Sequence, residues 1–276
     1  MAVRSSTDAA EAQRVAGGFL LTEPVRHSIF ISFVRDRAER SEPGRWWWVE
    51  AGADGDVVGF AMQVPSGFSA GVAPAAGGIV DALCDRIMAE VPDLPGVIAE
   101  SAVASRFAAR WAEWLAVPAR PVEAQRVYEL ATLVPPAAPA PGRLRPAVPA
   151  DRETLVAWAG GFLGDVGGLP DEPAAAVEQR MADGGLWVWD DDGPAAMASS
   201  TPPLGGVSRI GFVYTPPERR RRGYATACVA ALSDHLLATG AERCMLYAQL
   251  HNPTSNAIYL RMGYEPVTEI VSYRFG

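Results

Sequence analysis

The sequence predicts an α/β protein built from two similar halves. Segments with helical and strand periodicity alternate along the chain, and the order helix, helix, hairpin, strand, helix, strand, helix, strand occurs in both halves. At 276 residues, the chain is also longer than a typical single domain. Residues 135–142 are rich in proline, which favours an extended linker. We therefore predict a first domain at residues 1–134, this linker, and a second domain at residues 143–276.

The first half contains both periodicities. Ile29, Phe30, Phe33 and Val34 form an apolar stripe at helical spacing, and glycine and aspartate at residues 52–56 supply a turn between two strand-like runs. Ser101 can cap the helix that follows it. We expect helices near residues 8–15, 27–39, 79–91 and 101–117, and strands near 46–50, 57–64, 96–100 and 126–134.

The second half repeats this order. The aspartates and glycine at residues 191–193 indicate a hairpin turn, and the glycines at residues 160–168 predict a mobile loop after the first helix. We expect strands near residues 143–146, 186–190, 194–200, 208–215, 244–249 and 267–275, and helices beginning at residue 150 and lying near 173–181, 224–238 and 255–262.

Composition excludes several classes of function. A net charge of -8 argues against general nucleic-acid binding, which needs a basic surface. No apolar run is long enough to span a bilayer, and the polar start lacks a signal-peptide core, so we expect a soluble, cytoplasmic protein that does not bind membranes. Cys84, Cys228 and Cys244 are widely spaced in apolar surroundings, which predicts buried side chains rather than disulfides or a metal site.

Residues 210–230 are the stretch most suggestive of a binding site. A β-prone run meets Pro216 and Pro217, and four arginines, Gly223 and an alanine-rich helical segment follow. The free amides at the start of a helix attract anions, and a glycine lets the backbone approach a phosphate closely. A solvated arginine turn is the alternative interpretation.

Two motifs in this half resemble the signatures of the GNAT superfamily of acyl-CoA-dependent N-acyltransferases. Arg220-Arg-Arg-Gly223-Tyr-Ala225 is similar to its R/Q-x-x-G-x-G/A cofactor loop. Asn252, Tyr259 and Gly263-Tyr264 are similar to its closing signature, in which an asparagine precedes a helix that carries a tyrosine and ends in Gly-Phe or Gly-Tyr. The resemblance covers residues 143–275. Together with the repeated order of elements, it implies a fold of two tandem domains, each with a mixed, mostly antiparallel sheet flanked by helices.

The resemblance also implies a donor, acetyl-CoA, that needs no metal. In the family the central strand separates from its neighbour, and the pantetheine arm pairs with the exposed backbone as an added strand does. Asn252 corresponds to an asparagine that hydrogen-bonds the cofactor, although a residue before Pro253 can equally be a helix cap. The positions that the resemblance assigns to cofactor binding are Val213, Tyr214, Thr215, Arg220, Arg221, Arg222, Gly223, Tyr224, Ala225, Thr226 and Asn252.

Tyr259 corresponds to the family's general acid, which protonates the departing thiolate; a core aromatic on an amphipathic helix is the alternative. A general base is harder to identify. Many relatives place a glutamate on the central strand or on the strand before it, but residues 195–200 and 208–213 hold no carboxylate. Asp165, Glu269 or a water relay remain open as the route for the amine proton.

The first half lacks both motifs. Residues 71–78 contain glycines but no arginine, and residues 108–115 contain no asparagine followed by a tyrosine. We therefore predict an active second domain beside a degenerate first domain. The predicted function is acetyl transfer to a primary amine of an unidentified small molecule or peptide, by a monomer or homodimer. A non-catalytic CoA-binding regulator and a scaffold that binds no CoA are the alternatives.

Overall fold

The structure is a computed structural model that describes residues 1–53, 55–138, 140–166 and 173–276. It divides into two compact units, Met1–Val127 with Val267–Gly276, and Tyr128–Pro266. The units differ from the predicted domains in two respects, because Val267–Gly276 groups with the first half of the chain and residues 128–134 group with the second half. Which segments fold independently stays a prediction, with boundaries at residues 1–134 and 143–276.

Helices and strands follow one order twice. The helices are α1 Ala9–Leu20, α2 Ser28–Arg40, α3 Gly77–Glu90, α4 Ser101–Leu115, α5 Arg152–Val166, α6 Pro173–Ala182, α7 Tyr224–Ala238 and α8 Pro253–Arg261. The strands are β1 Ala2–Ser6, β2 Arg45–Ala51, β3 Asp56–Gln63, β4 Ala70–Val72, β5 Gly96–Glu100, β6 Ala119–Leu130, β7 Arg143–Pro146, β8 Leu186–Asp190, β9 Pro194–Ser200, β10 Val207–Tyr214, β11 Arg243–Gln249 and β12 Glu265–Phe275.

The sheet of the first unit has the order β1-β2-β3-β4-β5-β12, in which only β4 and β5 are parallel. Strand β2 shows how the two faces are filled. Trp46 and Trp48 pack in a core with residues of α1 and α2, whereas Trp47 and Val49 pack with residues of α3 and α4. This alternation is the two-residue period of a strand that is buried on both faces.

The second unit repeats this arrangement. Its strands lie in the order β7-β8-β9-β10-β11, antiparallel except for the parallel β10–β11 pair. One core contains residues of α7 and α8, and a separate core contains residues of α5 and α6. The prediction of two domains with the same mixed, mostly antiparallel architecture is confirmed.

Several element predictions were wrong. Strand β1 was not predicted; its sequence, AVRSS, is too short and mixed to show a strand pattern, and it pairs antiparallel with β2. Ser101 is the first residue of α4 and does not cap it, since the N-cap is Glu100. Helix α5 continues through Val166, so residues 160–166 are helical and not a loop; residues 167 and 168 of the predicted loop lie outside the described residues.

Residues of the predicted linker pack against the second unit. Its described residues form no helix or strand, as expected, but Ala140 contacts the core around α7 and the Pro141 carbonyl accepts a 2.8 Å hydrogen bond from Trp189 Nε1. The segment is therefore not a free spacer.

The three cysteines are buried and form no disulfide, and burial raises the pKa of each thiol to about 12. None of the described helices combines the length and hydropathy needed to cross a membrane.

Candidate active site

A fork between β10 and β11 is the central feature of the second unit. The two parallel strands pair from Val207 and Arg243 to Ile210 and Leu246, and the pairing ends there. Both strands continue, β10 to Tyr214 and β11 to Gln249. Facing backbone groups beyond the last pair have no partner strand, which is the kind of edge that an extended ligand can add to.

A bulge in β10 accompanies the fork. The register with β9 shifts between Gly211 and Tyr214, and Phe212 has a φ of 54°, in the left-handed region. Because of the bulge, Ile210 faces the core of α7 and α8, while Phe212 packs in the core of α5 and α6. A bulky residue in this region costs about 1–2 kcal/mol, so the surrounding contacts must hold the bulge in place.

Helix α7 begins next to the end of β10. Gly223, at its N-cap, has a φ of 81°, which glycine adopts without strain. Among the described residues, a Cβ added to Gly223 would meet only the Ala140 Cβ, at 3.8 Å, so this part of the structure leaves the backbone open to a close approach. Arg221 and Arg222 are exposed, and the amides of Tyr224, Ala225 and Thr226 belong to the first turn, where no helical carbonyl is available to them. The turn thus combines positive charge with backbone donors.

The side chains of Arg220 and Tyr224, both predicted to bind the cofactor, make contacts within the protein. Arg220 Nε donates a 2.9 Å hydrogen bond to the Thr215 carbonyl, and its guanidinium lies 5.5 Å from the centre of the Tyr214 ring. Tyr224 is buried, and its hydroxyl donates to Asp191 in the β8–β9 hairpin. Arg220 therefore fixes the end of β10, and only the backbone of Tyr224 can face a ligand.

The strand-end residues Val213, Tyr214 and Thr215 lie where the fork opens. Val213 packs against the core of α7 and α8, and Tyr214 against the core of α5 and α6. Gly161 of α5 makes room for Tyr214, since a Cβ there would lie 2.3 Å from the Tyr214 hydroxyl. The hydroxyl of Thr215 is buried and has no hydrogen-bond partner in the described part of the chain.

Asn252 has the capping role that the sequence left open. Its side-chain oxygen accepts a 3.1 Å hydrogen bond from the Ser255 amide at the start of α8. Such a cap contributes about 1 kcal/mol. The amide nitrogen of the Asn252 side chain is not used in this cap.

Tyr259 lies on α8 with only 8% of its surface exposed. Its ring packs near Tyr128 and Tyr264, with centroids 6.1 and 5.8 Å away. Burial, with a smaller effect of Tyr128, raises the pKa of Tyr259 to about 12. The Tyr259 hydroxyl makes no hydrogen bond to any described residue. A protonated phenol in this setting can donate a proton to a ligand.

A network around Asn256 was missed by sequence reasoning. The Tyr128 hydroxyl donates a 2.7 Å hydrogen bond to Asn256 Oδ1, and Asn256 Nδ2 donates to the carbonyls of Gln249 and Asn252. One side chain thus joins β6, the end of β11 and the start of α8. No signal in the sequence separates Asn256 from an ordinary surface asparagine of a helix.

The two candidates for the general base, Asp165 and Glu269, belong to α5 and β12 and not to the strands of the fork. Strands β9 and β10 carry no carboxylate, as the sequence indicated. Glu269 belongs to the first unit and forms a 2.6 Å ion pair with Arg126 there. Asp165 lies in α5, but its side chain is outside the described part of the structure.

This arrangement agrees with a family match. Residues 151–264 match the model of the acetyltransferase (GNAT) family. This part of the chain is a GNAT acetyltransferase domain. The match contains the bulged strand, the arginine turn and α8, and it implies transfer of an acyl group from an acyl-CoA. No curated protein matches the chain in sequence.

Solved structures extend the likeness to the whole chain. A GCN5-related N-acetyltransferase from Sphaerobacter thermophilus superposes with a TM-score of 0.64 at 18% identity, covering 99% of this chain and 95% of the other. A GNAT-family acetyltransferase from Colwellia psychrerythraea has a TM-score of 0.64 at 10% identity, with both chains covered completely. A tandem GNAT protein from the clavulanic acid biosynthesis pathway has a TM-score of 0.60 at 17% identity, covering 99% and 98%. At these identities the likeness establishes the fold, two GNAT-like domains, and nothing of the substrate.

The residues of the GNAT domain fit an acyl-CoA. The fork offers unpaired strand edges to an extended arm, the orphaned Thr215 hydroxyl offers a buried polar partner, and the open backbone at Gly223 suits a pyrophosphate. Nothing comparable exists for a metal: the described residues contain no cluster of three or more histidine, cysteine, aspartate or glutamate side chains that could hold one.

Proposed function

We propose that this protein is an N-acetyltransferase that transfers an acetyl group from acetyl-CoA to a primary amine. The observation that carries the proposal is the fork, because the end of β10–β11 pairing at Ile210 and Leu246 coincides with the arginine turn and with Tyr259 in one unit. A protein that serves only as a scaffold requires neither an unpaired strand edge nor a helix N-terminus that is open to a ligand.

The roles of the residues follow from their positions. The edge formed by Val213, Tyr214 and Thr215 would bind the pantetheine arm, and the amides of residues 223–226, with Arg221 and Arg222, would bind the pyrophosphate. Bound acetyl-CoA supplies the activated thioester. Asn252 would contribute the side-chain nitrogen that its cap leaves unused.

Tyr259 would hold the proton that the departing sulfur takes up. Its raised pKa, about 12, keeps the phenol protonated at neutral pH. The amine must reach the site unprotonated. Because β9 and β10 lack a carboxylate, we propose that the amine proton leaves through water and not through a side chain of these strands.

Titration of acetyl-CoA into the whole protein tests the proposal. We expect one site per chain, followed by release of free thiol when a panel of small amines and peptide N-termini is supplied. The missing carboxylate favours a second candidate, a regulator that binds CoA without turnover. That candidate predicts binding, no thiol release with any amine, and a Tyr259→Phe variant that behaves as the wild type. Absence of acetyl-CoA binding would contradict both.

A further inference from the structure

The contacts around Phe212 carry an inference that deepens the proposed function and rests on it. Phe212 is the left-handed residue of the β10 bulge and only 7% of its surface is exposed. The ring of Phe162, on α5, meets it edge to face with centroids 4.9 Å apart. The guanidinium carbon of Arg180, on α6, lies 4.4 Å from the centre of the Phe212 ring.

These two contacts form a clamp, defined here as Phe162 on α5 and Arg180 on α6, both in contact with the Phe212 ring. A left-handed backbone is unfavourable for a bulky residue, so an isolated strand with this sequence would tend to lose the bulge. A T-shaped aromatic pair and a cation over a ring face are both specific attractive contacts. Both contacts exist only while Phe212 faces the core of α5 and α6, which requires the bulge.

The bulge lies at the point where the fork opens. The last β10–β11 pair is Ile210 with Leu246, and the register shift of β10 begins at the next residue, Gly211. If the bulge were removed, the residues after it would turn over and their backbone groups would change sides. The strand edge available to the acyl donor therefore depends on Phe212 keeping its left-handed conformation.

We propose that Phe162 and Arg180 are positioning residues that hold the acyl-donor site open through Phe212. The helices α5 and α6 thus act on donor binding from the opposite face of the sheet from α7, without touching the donor. It follows that a ligand that shifts α5 or α6 would change the affinity for acetyl-CoA as well.

The test is a double-mutant cycle on acetyl-CoA binding. Arg180→Met keeps the apolar stem but removes the cation, and we expect the acetyl-CoA Kd to rise about tenfold. Phe212→Gly allows a positive φ without strain and removes the ring, so adding Arg180→Met to Phe212→Gly should change the Kd by less than about twofold. Phe162→Leu should repeat the first result, and Arg180→Lys, which retains a cation, should remain within about threefold of the wild type.

Each outcome decides between the alternatives. An unchanged Kd in Arg180→Met would overturn the clamp, as would an equal loss in both backgrounds, because a residue that contacts the donor directly would not depend on Phe212. Thermal unfolding of each variant identifies any that fails to fold, in which case Phe162→Leu and Arg180→Lys carry the test. If the wild type binds acetyl-CoA and the cycle shows no coupling, only the clamp is wrong. If the wild type does not bind it, the proposed function fails first.

Discussion

The two units contain the same strand, turn and helix at the same position, and only one of them has the features of a donor site. In the first unit this is β4 and α3, and in the second it is β10 and α7. Strand β4 has three residues, and all of them pair with β5. Strand β10 has eight residues, and its pairing with β11 stops halfway.

The helix N-termini differ as well. At the start of α3, a Cβ added to Gly77 would lie 2.9 Å from the guanidinium carbon of Arg106. Arg106 in turn forms two hydrogen bonds with the carboxylate of Asp81, in the second turn of α3. The sequence led us to expect no positive charge at this turn. The guanidinium of Arg106, from α4, does lie there, but the carboxylate of Asp81 neutralises it.

If the second unit binds the donor as proposed, the fold alone does not make a donor site. Both units have a parallel pair of strands followed by a helix. What differs is the length of one strand, a single bulge, and which charges lie near the helix start. Function in such a fold is decided by these local features.

The largest effect is expected from Tyr259, which has no counterpart motif in the first unit. Tyr259→Phe removes the proton donor, so kcat should fall by about 100-fold or more with little change in the acetyl-CoA Kd. Steady-state assay of thiol release measures this. Tyr264→Phe is the matched control, since that hydroxyl contacts Ser233 inside the core, 2.8 Å away, and its loss should leave kcat nearly unchanged. Equal kcat in Tyr259→Phe and the wild type would remove the catalytic assignment.

A pair of glycine substitutions compares the two turns directly. Gly223→Ala places a Cβ on a residue with a φ of 81° and beside the proposed pyrophosphate position, so the acetyl-CoA Kd should rise about tenfold. Gly78→Ala, at the start of α3, meets no atom within 4 Å and should leave the Kd unchanged. It should also stabilise the protein by up to about 1 kcal/mol, because alanine is the better helix former. A similar loss of affinity in both variants, measured by calorimetric titration, would contradict the difference between the turns.

Sequence reasoning found the parts of the site that depend on local chemistry. The proline stop before the arginine turn and Gly223 at the helix start follow from residue types, and Tyr259 on α8 follows from the resemblance to the family's closing signature. It missed what depends on tertiary contacts. Nothing in the apolar sequence of β10 indicates a bulge at Phe212. The glycines of α5 were predicted to form a loop, but they are helical, and one of them, Gly161, makes room for Tyr214 of β10. Arg106 reaches the start of α3 from a different helix, α4.

The pH dependence sharpens the comparison by testing the environment of Tyr259. The donor form of Tyr259 is the protonated one, which is present below its pKa and is lost only as the pH rises through about 12. The acceptor amine, in contrast, becomes reactive as it loses its proton. The kcat should therefore rise with pH and show no alkaline decline below about pH 10, where a tyrosine with an ordinary pKa would already lose half its protons. A pH–rate profile that falls between about pH 8 and 10 in the wild type, but not in Tyr259→Phe, would mean that the phenol is not buried as described.

The smallest effect is expected at the first unit's helix start. Arg106→Ala removes the guanidinium from the N-terminus of α3 and leaves Asp81 without its partner, yet acetyl-CoA titration should still give one site per chain. The reason is that the strand edge remains closed: every residue of β4 keeps its partner on β5, so an extended arm has no backbone to pair with. Asp81→Asn, which instead leaves Arg106 to attract an anion, should give the same stoichiometry. A second site in either variant would show that the ion pair, and not the closed strand pair, keeps the first unit from binding the donor.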